Sequence, residues 1–566
     1  MPRSTRLLVA SFSSIAVLGL AACTSILGDF DVAPNGVDND ASNPGDGSPG
    51  TDGAPTDGSS GEGAAPGTYL LSADSIVFVK AGATATVAVK LDRNAFDAAV
   101  DVTVTGLPAG VTASPLTVAA GATTGTLTLT AAAAAVVGAE AKASVASTSG
   151  TVTAPAAVVD VAVSGPTGTL DPSFPAALPY GAGLGTIQDA VLQPDGDVVL
   201  FGTFHQAAGD APSLVMRVHP DMTVDSTFTL GAIATNASAS PIGTAVAGLL
   251  QADGKIVVAW TEGASSKLNI SRLTASGTLD PTFGNPSTST VSTSGTFPTT
   301  SPEVVGLDID KNGSIVYGQM LDSSTVQAWR FTSAGVADST LGVLGNYGNK
   351  TFTKAEPVLQ LGTINAIFPQ TDGTYYFLGY GTGEPGLSMD TLARTTSGFV
   401  LDTTFGPSSG KLGWETGNGK FNINESLQIG NTIYSTGITA ASCTSNVTYC
   451  VASWTLSAGD AVGNGPICPT TTTGLGCNDT SIRIAKGPGT TIITAGYSTF
   501  LGGAVVARYT TSPLAVDTSF GNAGVGRLTK STGASDIYPV AVLTTAQGTT
   551  LVFNHDPSKA IQRFWP

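Results

Sequence analysis

Charge is scarce in this chain. Only 11% of its 566 residues are Asp, Glu, Lys or Arg, yet the formal net charge is −17. Binding to a phosphate backbone needs clustered Lys and Arg. No basic cluster with interleaved aromatics occurs, so nucleic acid is excluded as a partner. Histidine (3) and cysteine (5) are rare for a metalloenzyme of this length. They form no H-E-x-x-H or C-x-x-C pattern, and no P-loop or dinucleotide fingerprint occurs. No cofactor and no metal are therefore expected. Beyond the N-terminus no stretch reaches the roughly 18 apolar residues of a membrane-spanning helix. Lys and Glu are few while Gly, Thr and Val abound, which favours short strands and turns over long helices. The chain is also too long for one ordinary domain.

The N-terminus carries an address. Arg3 and Arg6 precede the apolar run Leu7 to Leu20, which is too short to span a membrane and fits a secretory signal over residues 1–22. "LAAC", Leu20 to Cys23, resembles the lipobox of bacterial lipoproteins. That resemblance implies cleavage before Cys23 and lipid attachment to it. Thr24 follows, not the Asp of inner-membrane retention, so the outer membrane or cell surface is the expected location. Residues 24–66 hold eight acidic residues, no basic one and few apolar side chains. With its lipidated Cys23, this 23–66 segment is expected to be a disordered linker.

From residue 67 to 165, short runs alternate apolar and polar positions, as in "ATVAVKL" and "VDVTVTGL". Several such strands imply a two-sheet sandwich. The phrase from Gly106 to Ala131 resembles immunoglobulin-like modules of bacterial surface proteins, without the Cys and Trp of antibody domains. A spacer role is the reading preferred for it.

The rest of the chain, 166–566, repeats itself. "LQPDGDVVLFG" and "LQADGKIVVAW" recur in seven copies, with turn glycines such as Gly196, Gly254, Gly313 and Gly373 spaced by 58 to 60 residues. After each comes a second phrase, as in "SRLTASGTLDPTFG" from Ser271 to Gly284. Asp-Gly and Asn-Gly turns between apolar runs mark hairpins. Four antiparallel strands per repeat, the last begun or formed by "LDPTFG", describe a propeller blade. The fold class is therefore all-β: a seven-bladed β-propeller preceded by a small sandwich and a linker. The motifs resemble the delta-60 repeat family of bacterial surface proteins. That resemblance implies a propeller-like fold and no catalytic residues.

Within the repeat, Arg217, Arg272, Arg330, Arg394, Arg508 and Arg563 alternate with Asp225, Asp280, Asp338, Asp402 and Asp517. A group present in nearly every blade belongs to the framework, so each Arg is expected to tie its strand to the following turn. Phe228, Phe283, Phe405 and Phe520 are expected to fill the space between blades. Blade five departs from the pattern. Aligned on Gly459, it has Trp454 in the place of Arg and Val462 in the place of Asp. Blade seven ends straight after Arg563, and a spare "GTLDPSF" with Asp171 stands at 168–174. That segment is expected to complete blade seven and close the ring.

Cys443, Cys450, Cys468 and Cys477 lie in or beside blade five. An exported compartment favours disulfides. Of the three possible pairings, Cys443–Cys450 and Cys468–Cys477 close short local loops and are expected. "GPSSG", Gly406 to Gly410, matches a serine-hydrolase elbow, but Pro407 and the missing helix exclude that reading. His205, His219 and His555 read as isolated surface residues, although ring closure would bring His205 and His555 together.

Two functions remain. One is a non-catalytic envelope lipoprotein whose propeller binds or scaffolds a protein or glycan. The alternative is a secreted polysaccharide-active enzyme with axial carboxylates. The tight turns after strands one and three share one end of the ring. The variable connections collect at the other, and a partner is expected there, on blades four and five.

Overall fold

The computed structural model describes residues 67–174, 185–204, 213–228, 244–261, 267–285, 290–296, 304–322, 325–341, 349–353, 361–382, 388–406, 411–414, 421–439, 449–457, 460–468, 479–498, 503–522, 524–527, 538–554 and 561–566. Every regular element among them is a strand, as the β-branched and turn-rich composition requires. No helix among the described residues is long and apolar enough to cross a membrane. Cys23, the 1–66 segment, Cys443, Cys477, His205, His555 and residues 407–410 of "GPSSG" lie outside the described residues.

Residues 68–164 form two sheets over one core. The first has the order Thr68–Ala73, Thr84–Asn94, Thr124–Ala131, Val111–Ala113. The second runs Ile76–Lys80, Ala157–Ser164, Glu140–Ser149, Val100–Thr105, Leu116–Val118. Strand alternation sends Val87, Val89 and Leu91 inward, each 1% exposed, while Lys90 points out. They meet Val145, Val159 and Val161 of the other sheet.

Beyond residue 184 stand seven sheets. Their first strands, Gly185–Leu192, Thr244–Leu250, Val304–Ile309, Leu361–Pro369, Phe421–Ile429, Asp479–Lys486 and Pro539–Thr544, each touch the next, and the last touches the first. This is a closed seven-bladed β-propeller. The turn glycines have the left-handed backbone that Asp-Gly and Asn-Gly hairpins need: φ is 96° at Gly196 and 81° at Gly254.

"LDPTFG" is not the fourth strand. In blade two, Leu279 makes a single bridge to Leu273, the chain turns, and the fourth strand is Thr290–Thr296. Blade six shows the same split: Leu514–Val516 and Val525–Arg527 both pair antiparallel with Gly503–Thr511, end to end along one edge. They count as one interrupted strand, so the tight turns after strands one and three do share an end. Blade five lacks the interruption; its fourth strand, Ala461–Ile467, runs on from a tight turn.

The ring closes through the segment before blade one. Leu170 bridges Phe564, Trp565 N donates to Thr169 O at 3.0 Å, and Asp171 N to Arg563 O at 2.8 Å. Residues 168–171 thus stand to blade seven as "GTLD" of blade two stands to Arg272.

Candidate functional site

The repeated Arg and Asp form a hook at the outer edge of each blade that has them. In all six, the Asp N–H donates to the Arg carbonyl at 2.8–3.0 Å, which sets the Asp under the guanidinium. In blade two, Arg272 Nε donates to Asp280 Oδ2 at 2.8 Å, while Oδ1 accepts from the Thr282 amide at 3.0 Å and hydroxyl at 2.6 Å. Burial pushes the Asp280 carboxyl up, but Thr282 and Arg272 outweigh it and bring it down to about 2. Asp225 is also brought to about 2 by Thr227 and Arg217 against burial. Each guanidinium lies over a ring, 4.8 Å from Phe228, Phe283, Phe405 or Phe520, and 4.4 Å for Arg563 over Phe174. Blade three has Leu341 instead, and Arg330 meets Phe399 at 5.4 Å and Tyr375 at 5.8 Å.

The sequence did not reveal that the same guanidinium also reaches the next blade. Arg217 Nη1 donates to Ala275 O at 3.0 Å, Arg272 to Ser333 O and Arg330 to Ser397 O. Each acceptor is the third residue after the next blade's own Arg. The Phe lies in the same junction: Phe283 packs with Tyr317 and Trp329 of blade three.

Blade five corrects the alignment. Its first hairpin pairs Leu427 with Tyr434, against Leu249 with Val257 in blade two, so it is one residue shorter. A one-residue slip turns each side chain to the other face. The position across from Tyr434, where Arg272 stands across from Val257, is Ser453. Trp454 instead packs with Tyr376, Leu392 and Phe405 of blade four. The disulfide is also corrected. Cys450 bonds Cys468, with 4.3 Å between their Cα atoms. Strand pairing is the reason: Val451 is opposite Ile467, which makes the preceding Cys450 and the following Cys468 neighbours across the sheet. Neither Cys443–Cys450 nor Cys468–Cys477 is compatible with it.

Clefts lie between blades among the described residues. One, of about 410 Å³, separates blades three and four at the tight-turn end and is lined by Asp310, Lys311, Arg330, Asp338, Asp372 and Tyr375 among others. Tyr375 Oη donates to Asp310 Oδ2 at 2.9 Å and accepts from Arg330 Nη1 at 3.1 Å. Burial, with a smaller push from Asp310 and against the pull of Arg330, raises the Tyr375 phenol to about 12. The second cleft, of about 510 Å³, separates blades five and six and has no charged lining residue.

Charged groups also occupy the innermost strands. Asp189 is wholly buried; its Oδ1 accepts from Ala190 N at 2.8 Å and its Oδ2 from Gly248 N of blade two at 3.0 Å. Burial raises its pKa well above the carboxylate range, despite those amides. Glu425 accepts from Ile484 N at 2.7 Å, and Arg483 donates to Val540 O at 2.6 Å. Each of the three binds the first strand of the following blade.

His219 is not isolated. Its Nδ1 lies 3.0 Å from Asp197 and its Nε2 3.9 Å from Asp225. The three groups could hold a metal ion by proximity. However, Arg217 already pairs with Asp225 at 2.5 Å and stands 3.5 Å from Asp197. A cation there would have to displace a guanidinium.

The family comparison agrees with the fold. Residues 193–228 and 251–283 match a family described as a domain of unknown function (DUF5122) beta-propeller. No curated protein matches. One solved structure similar to the chain is a subtype N10 neuraminidase-like protein of A/little yellow-shouldered bat/Guatemala. It is 12% identical, at a TM-score of 0.31, over 55% of this chain and 90% of that one.

Proposed function

We propose that this chain is a non-catalytic envelope lipoprotein, anchored through Cys23 at the outer membrane or cell surface, whose propeller binds a protein or a glycan. The residues 67–165 act as an immunoglobulin-like spacer in this reading, and the repeats belong to the delta-60 type. One observation carries it. The recurring acidic and basic groups are consumed by the hooks, where both carboxylate oxygens are bonded and the carboxyl is held ionised. Such a group is matched to holding strands together, not to exchanging protons near neutral pH. Screening the purified protein against envelope glycans and secreted proteins tests this. Saturable binding without turnover supports it, and product release from a bound polysaccharide refutes it.

Asp189 favours the second reading, a polysaccharide-active enzyme. A carboxyl whose pKa is raised by burial is suited to general-acid work. Yet both its oxygens are taken by backbone amides, one of them in blade two, as a connector requires. Loss of a measured polysaccharide hydrolysis in Asp189→Asn, with the fold retained, would favour the enzyme.

A further inference from the structure

Blade five is the blade without a hook, and the consequence lies against blade six. In blades one to three the Arg side chain crosses to a carbonyl in the next blade's turn. The equivalent carbonyl in blade six belongs to Thr511, three residues after Arg508. No Arg reaches it from blade five, where Ser453 holds that register. Tyr434, paired with Ser453, makes only a long contact in its stead: Oη donates to Thr511 O at 3.4 Å. Beside it lies the 510 Å³ cleft, walled by Tyr434, Ser453 and Ile467 on blade five and by Thr511, Ser512 and Leu514 on blade six.

The cleft is built rather than incidental. Ile467 is followed directly by Cys468, whose disulfide to Cys450 fixes the fourth strand to the third. Tyr434, Ile467 and Leu514 belong to the packed core between the two blades. Its volume falls within the roughly 300–1,000 Å³ of small-molecule sites.

Its chemistry selects a ligand. Hydroxyl-bearing Thr432, Tyr434, Ser453, Thr455, Thr511 and Ser512 line the space together with apolar Pro466, Ile467, Pro513 and Leu514. A charged ligand would lose water and gain no counter-charge. A purely apolar one would strip water from the hydroxyls and return no hydrogen bond. A ring with hydroxyls at its rim and C–H groups on its faces suits both kinds of lining. We infer that the cleft between blades five and six binds a neutral saccharide, at the place where the repeat's hook has been lost. This rests on the binding-module reading and gives that module a ligand class and a site.

The test is titration calorimetry of the full chain with short neutral gluco-, manno- and N-acetylglucosamine oligosaccharides, with oligogalacturonate as the charged comparator. Two variants narrow the cleft from opposite walls at exposed positions, Thr455→Trp and Ser512→Trp. Thr371→Trp, exposed in a tight turn of blade four, is the control, and thermal melting checks that each variant folds. At least one neutral oligosaccharide should bind, and both cleft variants should weaken it tenfold or more while the control does not. Binding equal in the wild type and both cleft variants overturns the site but leaves the binding module standing. Binding of the uronate alone, or of no saccharide, overturns the ligand class; capture of a protein partner in the same screen would then keep the module.

Discussion

Replacing Asp280 by Asn isolates the charge of one hook. The amide keeps the shape and an oxygen for the Thr282 hydroxyl, but it no longer neutralises Arg272, which is 5% exposed. Two routes give the cost. Breaking a buried ion pair from one side costs about 3–5 kcal/mol. The carboxyl pKa falls from 3.8 to about 2 in the fold, and at 1.36 kcal/mol per unit that is worth ~2 kcal/mol. The second value is the charge-specific part, so Asp280→Asn should lower the opening free energy around Ser271–Gly284 by ~2 kcal/mol at pH 7, and Asp280→Ala by more. Because the folded pKa is depressed, this contribution is fully present above the unfolded value and is lost as the pH falls through about 2. Hydrogen exchange of peptides spanning Ser271–Gly284, at pH 7 and again near pH 2, reads both effects. The variant should exchange roughly thirtyfold faster at pH 7, the equivalent of ~2 kcal/mol, and like the wild type near pH 2. Equal protection at pH 7, or a difference that persists in acid, would refute the account of the hook.

Mass spectrometry of a non-reduced digest should find a Cys450–Cys468 crosslink; peptides joining Cys443 to Cys450 would contradict the strand register. Asp171→Ala should destabilise blade seven by about 1.5–3 kcal/mol, the loss of a charged hydrogen bond to buried Arg563 while Glu140 remains as its counter-charge, seen as lost exchange protection in residues 561–566; unchanged protection would mean that the N-terminal segment does not close the ring. Radiolabelled palmitate should enter the wild type and not Cys23→Ser, and equal labelling would end the lipoprotein reading. For a protein partner, adding or reversing charges in residues 380–390 and 440–448 should weaken binding while Asp253→Lys and Asp372→Lys should not; the reverse pattern would move the docking end to the tight turns.

What could be read in advance was what repetition makes redundant. Gly196, Gly254, Gly313 and Gly373 each mark the same turn, so a mistake at one is corrected by the others. The spare "GTLDPSF" was legible for the same reason: one repeat lacked a half, and one half lacked a repeat. Contacts between copies were not legible. Arg272 and Ser333 are 61 residues apart, and a pattern within one repeat contains no record of which face meets the next. Blade five failed for a related reason. Its third strand runs on to Leu456, paired with Ala461, where blade two bridges Leu273 to Leu279, so aligning it on Gly459 placed Trp454 where Ser453 belongs and concealed the cleft. The disulfide followed strand pairing, which the preference for short loops ignores. Asp189 carries no signal at all in the sequence. In the same position after the first-strand irregularity blade two has Ala247 and blade four Ala366, and only the ring shows that Asp189 bonds its neighbour.

Arg563 shows how the seven-blade pattern is adapted where the chain ends meet. It keeps its own hook, at 2.7 Å from Asp171, but where other guanidiniums turn to the next blade it bonds Glu140 of the sandwich. Phe78 of the sandwich lies 5.6 Å from the same guanidinium and 5.7 Å from the Trp565 ring. Gly165 is the joint: a Cβ there would stand 2.9 Å from the Trp565 indole, which leaves room only for glycine. On the other side of the seam sits Asp221 of blade one. Burial raises its carboxyl, and Thr223, then Lys142 and His219, bring it below the usual range. Strand Glu140–Ser149 therefore faces blade seven through Glu140 and blade one through Lys142. Closure by a short N-terminal segment is the one joint of the ring that no chain connection reinforces, since residues 168–171 meet the last strand by non-covalent contacts alone. A load on the N-terminal side would act first on that joint. Because the sandwich rests on both flanking blades, the load is shared between Arg563, Phe78 and Lys142 before it can peel the segment away. The sandwich is thus part of the ring's closure.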